Sequence, residues 1–416
     1  MVNSKIGRHI ARLLTHPFLF LVYAISHLFP RNKRLWVFGI PKKFTWSSKY
    51  LFLYLANKKE TEIQYAWISR DRALIAELSS RGYPAYFWLS PKAFWICLRA
   101  GFYVIDASME TINYWLSGGA KEVMMWHGIP LKKIERDIKK GESVDAKVQQ
   151  SKGFARFMVG ILLPWVFRKP DYVTATSPVF QDIFVSAFGV RKENVFVAGF
   201  PKNDVYFADV PGADIGADRE ALVKLNNLKK AGTKTVLYAP TWRDTGGDSF
   251  FEKPDDLKVL DDFLQKEQLV FFLKLHPLAQ KSASASLRGA RYQNIVCVNP
   301  DSDADPLLSF VDILVTDYSG IYFEFLLLDR PMVFFPFDYQ KYVTRDRELY
   351  FDYQEVTPGP KVSTLEGLMQ ELQKLTRGQD EYRAERARVK DTCYSYQDGK
   401  AAERVRGALK QLIDKA

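Results

Sequence analysis

The sequence predicts an α/β protein with two doubly wound domains that face each other across a cleft. In each half of the 416-residue chain, short apolar strands alternate with helical stretches, a pattern typical of βαβ units and a mostly parallel sheet. A polar interval at residues 204–232 separates the two halves. Domains of this kind bind ligands at the carboxyl ends of their strands, so candidate site residues are expected there.

The apolar runs place strands and helices in order along the chain. The predicted strands begin at Leu35, Ile63, Phe102, Glu122, Asp171, Asn194, Thr235, Leu269, Asn294, Asp312 and Pro331. Helical patterns fall between them, for example at 47–58 and 178–188. We predict a membrane-associating segment at 1–34, a Rossmann-like acceptor and membrane domain at 35–205, a Rossmann-like donor domain at 206–378, and C-terminal helices at 379–416.

Composition narrows the class of ligand. The net charge of +11 favours nucleic acid, anionic lipid or an anionic small substrate. Nucleic acid is the weakest of these, because the sequence has no zinc-ligand spacing, ribonucleoprotein motif or arginine-rich tract. The three cysteines, Cys97, Cys297 and Cys393, lie far apart, which fits a reducing cytoplasm and suggests no disulfide framework or metal site.

The N-terminal segment has the character of a membrane anchor. Residues 18–25 are wholly apolar, and cations stand on both sides of them. Pro17, His16 and His27 interrupt the apolar character, and positive charge on both flanks selects no orientation. We therefore predict a helix that lies in the headgroup region. A true membrane span and a buried core helix are the alternatives.

A second apolar segment spans residues 154–167 and is flanked by lysine and arginine. It is too short to cross a bilayer. Its tryptophan and phenylalanines, with the flanking cations, predict an interfacial helix beside the entrance for an acceptor. The alternative is a helix buried between the domains.

Two histidines end apolar strands, one in each half of the chain. His127 is followed by Gly128 and Pro130, and His276 is followed by Pro277. A polar side chain at such a strand end faces the cleft, and an imidazole there can act as a general base or donate a charge-assisted hydrogen bond to phosphate. One such histidine alone is more often a satisfied core residue, but two favour a functional site.

The segment Thr316–Gly320 (TDYSG) joins a buried strand to an apolar helix. Backbone N–H groups at the helix start, the Ser319 hydroxyl and the small Gly320 predict a cradle for an anion, to which Thr316 adds a hydroxyl donor. Glu324, about one turn into the helix, is predicted to reach a ribose hydroxyl. The alternative is an ordinary N-capped helix without a ligand.

Arg243 follows another strand end and a proline turn in the segment YAPTWRD. A guanidinium at the cleft edge is suited to clamp a pyrophosphate through two parallel hydrogen bonds. The equally weighted alternative is a surface ion pair with Asp244.

Four motifs in order carry a resemblance to a known family. WHGIPLKK at 126–133, YAPTWRD at 238–244, KLHP at 274–277 and TDYSG at 316–320 together resemble the CDP-glycerol glycerophosphotransferase family, which contains the primases and polymerases of teichoic acid and related capsule polymerases. The resemblance covers the chain from Leu35 to its C-terminus. It implies a GT-B fold, peripheral (monotopic) attachment to the cytoplasmic face of the membrane, and transfer of a polyol phosphate from its CDP-activated form.

By position, the resemblance makes His127 the family's base and His276 the histidine near the donor phosphates. Thr316 and Ser319 match the family's phosphate-binding end. One departure is visible, since the family often has a serine where this chain has Gly320. A glycine there alters one phosphate contact but still permits a close approach of the backbone.

The resulting hypothesis is a transferase that uses CDP-glycerol or CDP-ribitol and a lipid-linked saccharide or polyol-phosphate acceptor at an anionic membrane surface. His127 takes the proton of the attacking hydroxyl, and CMP leaves. No cofactor is predicted, and no carboxylate cluster demands a metal, so Mg²⁺ is compatible with the site without being predicted. The rival hypotheses are a GT-B glycosyltransferase or sugar-nucleotide epimerase and, less favoured, a non-catalytic membrane scaffold.

Overall fold

The computed structural model describes residues 2–141, 143–241, 243, 254–276 and 292–414. Three residues of the motifs above, Trp242, Asp244 and Pro277, lie outside the described residues. The surface ion pair between Arg243 and Asp244 is therefore not described.

The first half of the chain forms a seven-stranded parallel sheet. Its strands, in chain order, are β1 (Asn32–Phe38), β2 (Gln64–Ser69), β3 (Ala85–Phe87), β4 (Ala100–Ile105), β5 (Lys121–Met124), β6 (Tyr172–Ala175) and β7 (Val195–Val197). Their spatial order is β3-β2-β1-β4-β5-β6-β7. The order reverses direction between β1 and β4, and it is at such a switch point that a doubly wound sheet opens a crevice for ligands.

Helices connect these strands. They are α1 (Val2–Ser26), α2 (Trp46–Asn57), α3 (Arg72–Ser80), α4 (Pro91–Arg99), α5 (Val144–Gln149), α6 (Gly153–Leu162) and α7 (Pro178–Phe188). Several of these helices have an N-cap residue whose side chain accepts hydrogen bonds from backbone amides of the first turn. In α3 this residue is Asp71. The helix α7 begins with a proline and ends with Gly189 at φ +63°, the usual stop for a helix.

The second half repeats the arrangement with five parallel strands. These are β8 (Lys234–Tyr238), β9 (Leu269–Leu273), β10 (Ile295–Cys297), β11 (Ile313–Thr316) and β12 (Met332–Phe334), in the order β10-β9-β8-β11-β12. The connecting helices are α8 (Arg219–Lys230), α9 (Pro254–Lys266), α10 (Asp305–Leu308), α11 (Ile321–Leu326), α12 (Tyr339–Lys341), α13 (Tyr353–Val356) and α14 (Leu365–Thr376). The switch point of this sheet lies between β8 and β11.

The last two helices return to the first sheet. They are α15 (Arg383–Cys393) and α16 (Ala401–Asp414). Asp204, in the linker between the sheets, accepts hydrogen bonds from the amides of Ala401 and Ala402 at 2.8 and 2.9 Å and so caps α16. Val405 and Leu409 of α16 are fully buried in the core of the first sheet. The chain therefore crosses between the halves twice.

Every predicted strand overlaps a strand of the structure. Except for the one that begins at Ile63, the predicted strands run two or more residues too far at the carboxyl ends, because residues such as Trp126 and Tyr318 are buried after the chain has left the sheet. The strand β3 was not predicted; it is an edge strand of three residues, of which only Ala85 is buried. Such a strand is too short to show a periodic pattern.

The N-terminal segment is a single helix that continues through Pro17 and packs against the first sheet's loops. Tyr23 stacks on Tyr114 with the ring centroids 4.8 Å apart, and His16 Nδ1 lies 2.9 Å from the carbonyl oxygen of Ile161 in α6. Within the described residues, no helix is both long enough and apolar enough to cross a membrane.

A buried ion pair joins the two halves. Lys49 of α2 lies 2.7 Å from Asp303, which precedes α10, and both side chains are almost fully buried. Thr45 and Tyr50 donate hydrogen bonds to the same carboxylate at 2.9 and 3.0 Å. Lys49 also donates to the carbonyl of Ala213. Both charges are therefore satisfied, which a buried pair requires.

Replacing Asp303 by alanine leaves the Lys49 ammonium buried without its counter-charge. We expect D303A to lower the free energy of unfolding by about 3–5 kcal/mol, measured by denaturant titration. The matched control is R81A, because Arg81 and Asp214 form a half-exposed pair at 2.8 Å and such pairs contribute about 0–1 kcal/mol. Equal losses in the two variants would contradict the structural role of the buried pair.

Candidate active site

A cavity of about 400 Å³ lies between the two sheets at the carboxyl ends of their strands. We call it the cleft cavity. Its walls come from segments that follow β1, β5, β7, β9, β10 and β11, and they include Lys43, Trp46, His127, Lys202, Lys274, Asp305, Ser319, Gly320 and Glu324. Both halves of the chain therefore contribute side chains to a single site, at the edge where doubly wound sheets bind ligands.

His127 enters the cleft cavity three residues after β5, and a backbone group fixes its ring. Its Nδ1 lies 3.0 Å from the carbonyl oxygen of Asp106, which follows β4. A carbonyl oxygen only accepts hydrogen bonds, so Nδ1 carries the proton and donates it. The other ring nitrogen, Nε2, is then unprotonated and can accept a proton from a bound hydroxyl.

Two tryptophans hold the His127 ring between them. The ring centroids lie 4.2 Å from Trp126 and 5.2 Å from Trp46, with tilts of 34° and 35°. Both tryptophans have left-handed backbones, with φ of +56° and +66°. Such a conformation costs a bulky residue about 1–3 kcal/mol and persists only where the surroundings enforce it. Both residues that orient His127 therefore have a strained backbone.

The electrostatic environment keeps His127 neutral. Desolvation by the surrounding protein lowers its pKa to about 4, and the positive charges of Lys202 and Lys132 act in the same direction. One side of the ring is exposed to the cleft, where water screens part of this effect. The lowered pKa favours the neutral imidazole that a general base needs at neutral pH.

Asp106 is held by the start of α2. Its carboxylate accepts hydrogen bonds from the Ser48 amide at 3.1 Å and from the Ser48 hydroxyl. Burial raises the pKa of Asp106 to about 7, against the hydrogen bonds from Ser48, which lower it. Through its side chain Asp106 is tied to α2, and through its carbonyl it positions His127.

Lys202 supplies a buried positive charge next to His127. Its ammonium lies 3.2 Å from Asp305 and 3.1 Å from Glu324. Burial alone lowers the pKa of Lys202, but the two carboxylates outweigh it and raise the pKa above its ordinary value. Glu324 was predicted to hold a ribose hydroxyl. The structure places it in the cleft cavity, but with one carboxylate oxygen committed to Lys202.

Ser319 and Gly320 line the cleft cavity where α11 begins, as predicted. The helix is short, with six residues. A Cβ atom added to Gly320 would lie 2.7 Å from the carbonyl oxygen of Ile129, in the loop that follows His127. The glycine therefore lets the two halves of the cleft approach each other more closely than any larger residue allows.

Thr316 and Arg243 are brought near the site but do not face the cavity as predicted. The Thr316 hydroxyl is buried and donates to the carbonyl of Ala239 at 2.7 Å, so its proton is not available to a phosphate. The Arg243 guanidinium is buried, with Asp338 in a two-point contact at 3.0 and 2.9 Å and Asp317 at 2.6 Å. The predicted pyrophosphate clamp is therefore wrong for this structure. Arg243 instead ties the TDYSG segment to its neighbours.

His276 is an exposed residue just beyond β9. One link between His276 and the cleft cavity is electrostatic. The Lys43 hydrogen bond and, to a smaller extent, the charges of Lys43, Lys274 and His276 lower the pKa of Asp301, which lines the cavity. Lys274 itself lines the cavity and donates to the carbonyls of Asn299 and Ser302 at 3.0 and 2.9 Å. His276 is thus outside the residues that line the cavity but close enough for its charge to act on Asp301 at the cavity's edge, whereas His127 forms part of the wall.

The chain matches the family described as CDP-glycerol:poly(glycerophosphate) glycerophosphotransferase over residues 21–410. The chain belongs to this family. The resemblance inferred from the four motifs is confirmed, and the protein is a transferase of the glycerophosphotransferase type.

Two curated relatives illustrate the similarity. The chain is 28% identical over 365 residues to a teichoic acid poly(glycerol phosphate) polymerase of Bacillus spizizenii, covering 85% of this chain and 86% of that protein. It is also 28% identical over 379 residues to the polymerase of the same name from Staphylococcus epidermidis, covering 87% of this chain. The chain spans only 48% of the length of the S. epidermidis protein.

The fold is also that of a known member. The structure of the wall teichoic acid polymerase TagF superimposes with a TM-score of 0.74 at 24% identity, covering 100% of this chain and 99% of that chain. This similarity confirms the GT-B fold that the resemblance implied.

Several site residues of this glycerophosphotransferase escaped the sequence analysis. Asp106 is the first polar residue after the apolar run of the predicted strand FYVIDAS, so the same reasoning that singled out His127 applies to it. Lys202 and Lys274 also follow strands, which is the signal that was available. Trp46 carries no such signal, because its role depends on a left-handed backbone that the sequence does not reveal.

The close approach at Gly320 yields a test. In G320A the new methyl group meets the Ile129 carbonyl, so we expect a loss of about 1–3 kcal/mol of stability and a higher KM for the nucleotide donor, because the cleft walls must separate. The measurements are denaturant unfolding and steady-state kinetics.

The matched control for G320A is G407A. Gly407 lies inside α16, where an added Cβ atom meets open space, and alanine favours a helix interior by about 1 kcal/mol. We expect G407A to be as stable as the unaltered protein or more so, with the same donor KM. If G320A behaves like G407A, the cleft does not depend on this approach.

Proposed function

We propose that this protein transfers a polyol phosphate from a CDP-activated donor to a hydroxyl of an acceptor, releasing CMP. The observation that carries the proposal is the geometry of His127. Its Nδ1 proton is committed to the Asp106 carbonyl, which leaves a basic Nε2 in a cavity built from both sheets. An alcohol nucleophile needs such a base, because its own pKa is far above neutrality.

The reaction follows from this arrangement. The acceptor oxygen attacks the phosphorus that carries the polyol, and its proton passes to His127 Nε2. A new P–O bond to the acceptor forms, and the bond to the bridging oxygen of the diphosphate breaks, so that CMP leaves with the electron pair. Positioning and electrostatic stabilisation supply most of the rate enhancement in phosphoryl-type transfer.

Cationic and hydroxyl groups from both halves of the chain support a donor site in the cleft cavity. Lys202, Lys274, Ser319 and the Gly320 backbone line it, and the charge of His276 acts on Asp301 at its edge. Lys202 is suited to stabilise charge on the transferring phosphate, because its position is fixed by Asp305 and Glu324 before a ligand binds. In this proposal Lys202 takes the role first assigned to Arg243.

The decisive variant is H127N. An asparagine amide can still donate a hydrogen bond to the Asp106 carbonyl, but it has no basic nitrogen. We expect CMP release to fall about 10²–10⁴-fold while binding of the CDP-polyol persists. The measurements are CMP release with a panel of CDP-glycerol, CDP-ribitol and UDP-sugars, and calorimetric donor binding.

The contrasting variant is H276A, just outside the residues that line the cleft cavity. We expect it to raise the donor KM more than it lowers kcat. Unchanged turnover by H127N would remove the proposed base. Release of UDP from a sugar nucleotide, with no CMP from any CDP-polyol, would favour the rival glycosyltransferase or epimerase.

We also propose that the protein binds the cytoplasmic face of the membrane peripherally and takes a lipid-linked acceptor there. The support is an apolar row on α1 and the turn after it, spaced by three or four residues along one face. The exposed members are Leu14, Phe18, Leu21, Ile25 and Leu28, with exposures from 45 to 80%. Phe154 and Phe157 of the adjacent α6 are 76 and 62% exposed. We call these residues the apolar face.

The chemistry around the apolar face suits anionic lipid. Lys152 precedes α6, Arg156 lies within it, and the chain carries a net charge of +11. Arg156 stacks over the Phe167 ring at 3.9 Å, as an amphipathic side chain does at an interface. Exposed aromatic residues beside cations are the pattern of an interfacial helix.

The double variant F18D/L21D tests this membrane contact. We expect co-sedimentation with vesicles of anionic phospholipid to fall at least about tenfold, because carboxylates resist transfer to the headgroup region. The matched control is V223D, which alters an equally exposed apolar residue on α8. Vesicle binding by F18D/L21D equal to that of V223D would contradict peripheral attachment through α1.

A further inference from the structure

A second cavity, of about 480 Å³, adjoins the cleft cavity at His127. We call it the inner cavity. Trp126, His127, Lys132 and Ile134 line both cavities. The base is therefore placed at the junction of two spaces, each large enough for a small organic ligand. A group-transfer enzyme must bring two substrates to one base, and the cleft cavity accommodates only the donor in the proposal above.

The walls of the inner cavity come chiefly from the first half of the chain. Val148 belongs to α5, Glu135 lies in the turn before it, and Trp165 follows α6. Arg347 is contributed by the second half. The cavity thus lies beneath the short helices that follow the His127 loop, apart from the Ser319 and Lys274 walls of the cleft cavity.

The lining of the inner cavity suits a ligand with hydroxyl groups. Glu135 accepts a hydrogen bond from Gln149 at 3.2 Å and has a left-handed backbone with φ +47°, so the chain is strained where it presents this carboxyl. Burial raises the pKa of Glu135 to about 7, and Asp145 adds to the effect. A carboxyl group in this state both donates and accepts hydrogen bonds, as neighbouring hydroxyls require.

Other lining residues provide an apolar surface and positive charge. Trp165 and Trp126 line the cavity, and aromatic rings pack against the C–H surfaces of a sugar or polyol. Lys132 and Arg347 bring cations that can hold a phosphate. The inner cavity therefore combines a carboxyl group that can bind hydroxyls, aromatic rings and cations. This combination suits a polyhydroxylated group that carries a phosphate.

A run of aromatic rings connects the inner cavity to α1, the helix that carries most of the apolar face. Tyr23 of α1 stacks on Tyr114 at 4.8 Å, and Tyr114 meets the edge of Trp165 at 5.7 Å. Arg168, which also lines the cavity, donates to the Tyr23 hydroxyl at 2.9 Å. A head group bound in the inner cavity would therefore be close to the helix that carries the exposed apolar residues.

We propose that the inner cavity is the acceptor site, and that it binds the polyhydroxylated, phosphate-bearing end of the acceptor with a terminal hydroxyl directed at His127. This inference rests on the proposed function. It adds the place where the second substrate binds and the residues that recognise it, Glu135 and Trp165 foremost. The proton then moves from the bound hydroxyl to Nε2 as the oxygen attacks the donor phosphorus.

The test fills the cavity. V148W places an indole in the inner cavity, so we expect the KM for acceptor to rise by about tenfold or more, with the KM for the CDP-polyol unchanged. The acceptor probes are glycerol phosphate and octyl glycerol phosphate, assayed through CMP release. Both share the head group, so the rise should be the same for both.

The matched control is K147W, which places the same indole on the exposed neighbouring position of α5. We expect both KM values to stay as in the unaltered protein. The variant E135Q, which preserves the side-chain volume, is a second test of the acceptor KM. Its result does not depend on whether α5 can accommodate an indole. We expect it to raise the acceptor KM by about three- to tenfold for both probes, with the donor KM unchanged.

The outcomes separate this inference from the proposed function. If the unaltered protein releases no CMP from any CDP-polyol, the proposed function fails. If it does release CMP, and V148W and E135Q both keep the acceptor KM of K147W, the inner cavity is not the acceptor site. A rise confined to octyl glycerol phosphate would also overturn the inference, because it would show that the variants disturb a lipid contact instead of the head-group site.

Discussion

The hydrogen bond from His127 Nδ1 to the Asp106 carbonyl is the contact on which the site depends. It joins the loops after β4 and β5, which are neighbouring strands, and it decides which ring nitrogen is basic. Asp106 is in turn fixed by Ser48 at the start of α2. The imidazole therefore has its tautomer and orientation before any ligand binds, which is the preorganisation that acid–base catalysis needs.

The rest of the site is arranged around that fixed ring. Trp46 and Trp126 confine it, and Lys202 adds a positive charge that is itself held by two carboxylates. The Lys49–Asp303 pair and the glycine at 320 hold the second sheet against the first, so the cleft cavity keeps its shape. Because His127 borders both the cleft cavity and the inner cavity, one base can serve a donor on one side and an acceptor on the other.

Much of the fold and part of the site could be predicted from the sequence. Apolar runs locate strands, and a polar residue after such a run marks the cleft, which is why His127 was found. What escaped depends on contacts between distant residues. Arg243 forms buried ion pairs with Asp317 and Asp338, which are 74 and 95 positions away in the chain. No local sequence pattern distinguishes an arginine in such ion pairs from one that binds a phosphate. The partner of Thr316 is likewise a backbone carbonyl brought near only by the sheet order.

The most direct test of the account is a nitrogen NMR titration of His127 in protein labelled with ¹⁵N-histidine, with H127N used to assign the resonances. We predict that Nδ1 remains protonated and Nε2 unprotonated from about pH 8 to below about pH 6.5, the ordinary histidine pKa. The Asp106 carbonyl fixes the proton on Nδ1. Desolvation lowers the pKa of His127 and outweighs the hydrogen bond to Asp106, which raises it, so the ring stays neutral. A proton on Nε2 at neutral pH, or a ring that becomes cationic above pH ~6.5, would contradict the assignment of His127 as the base.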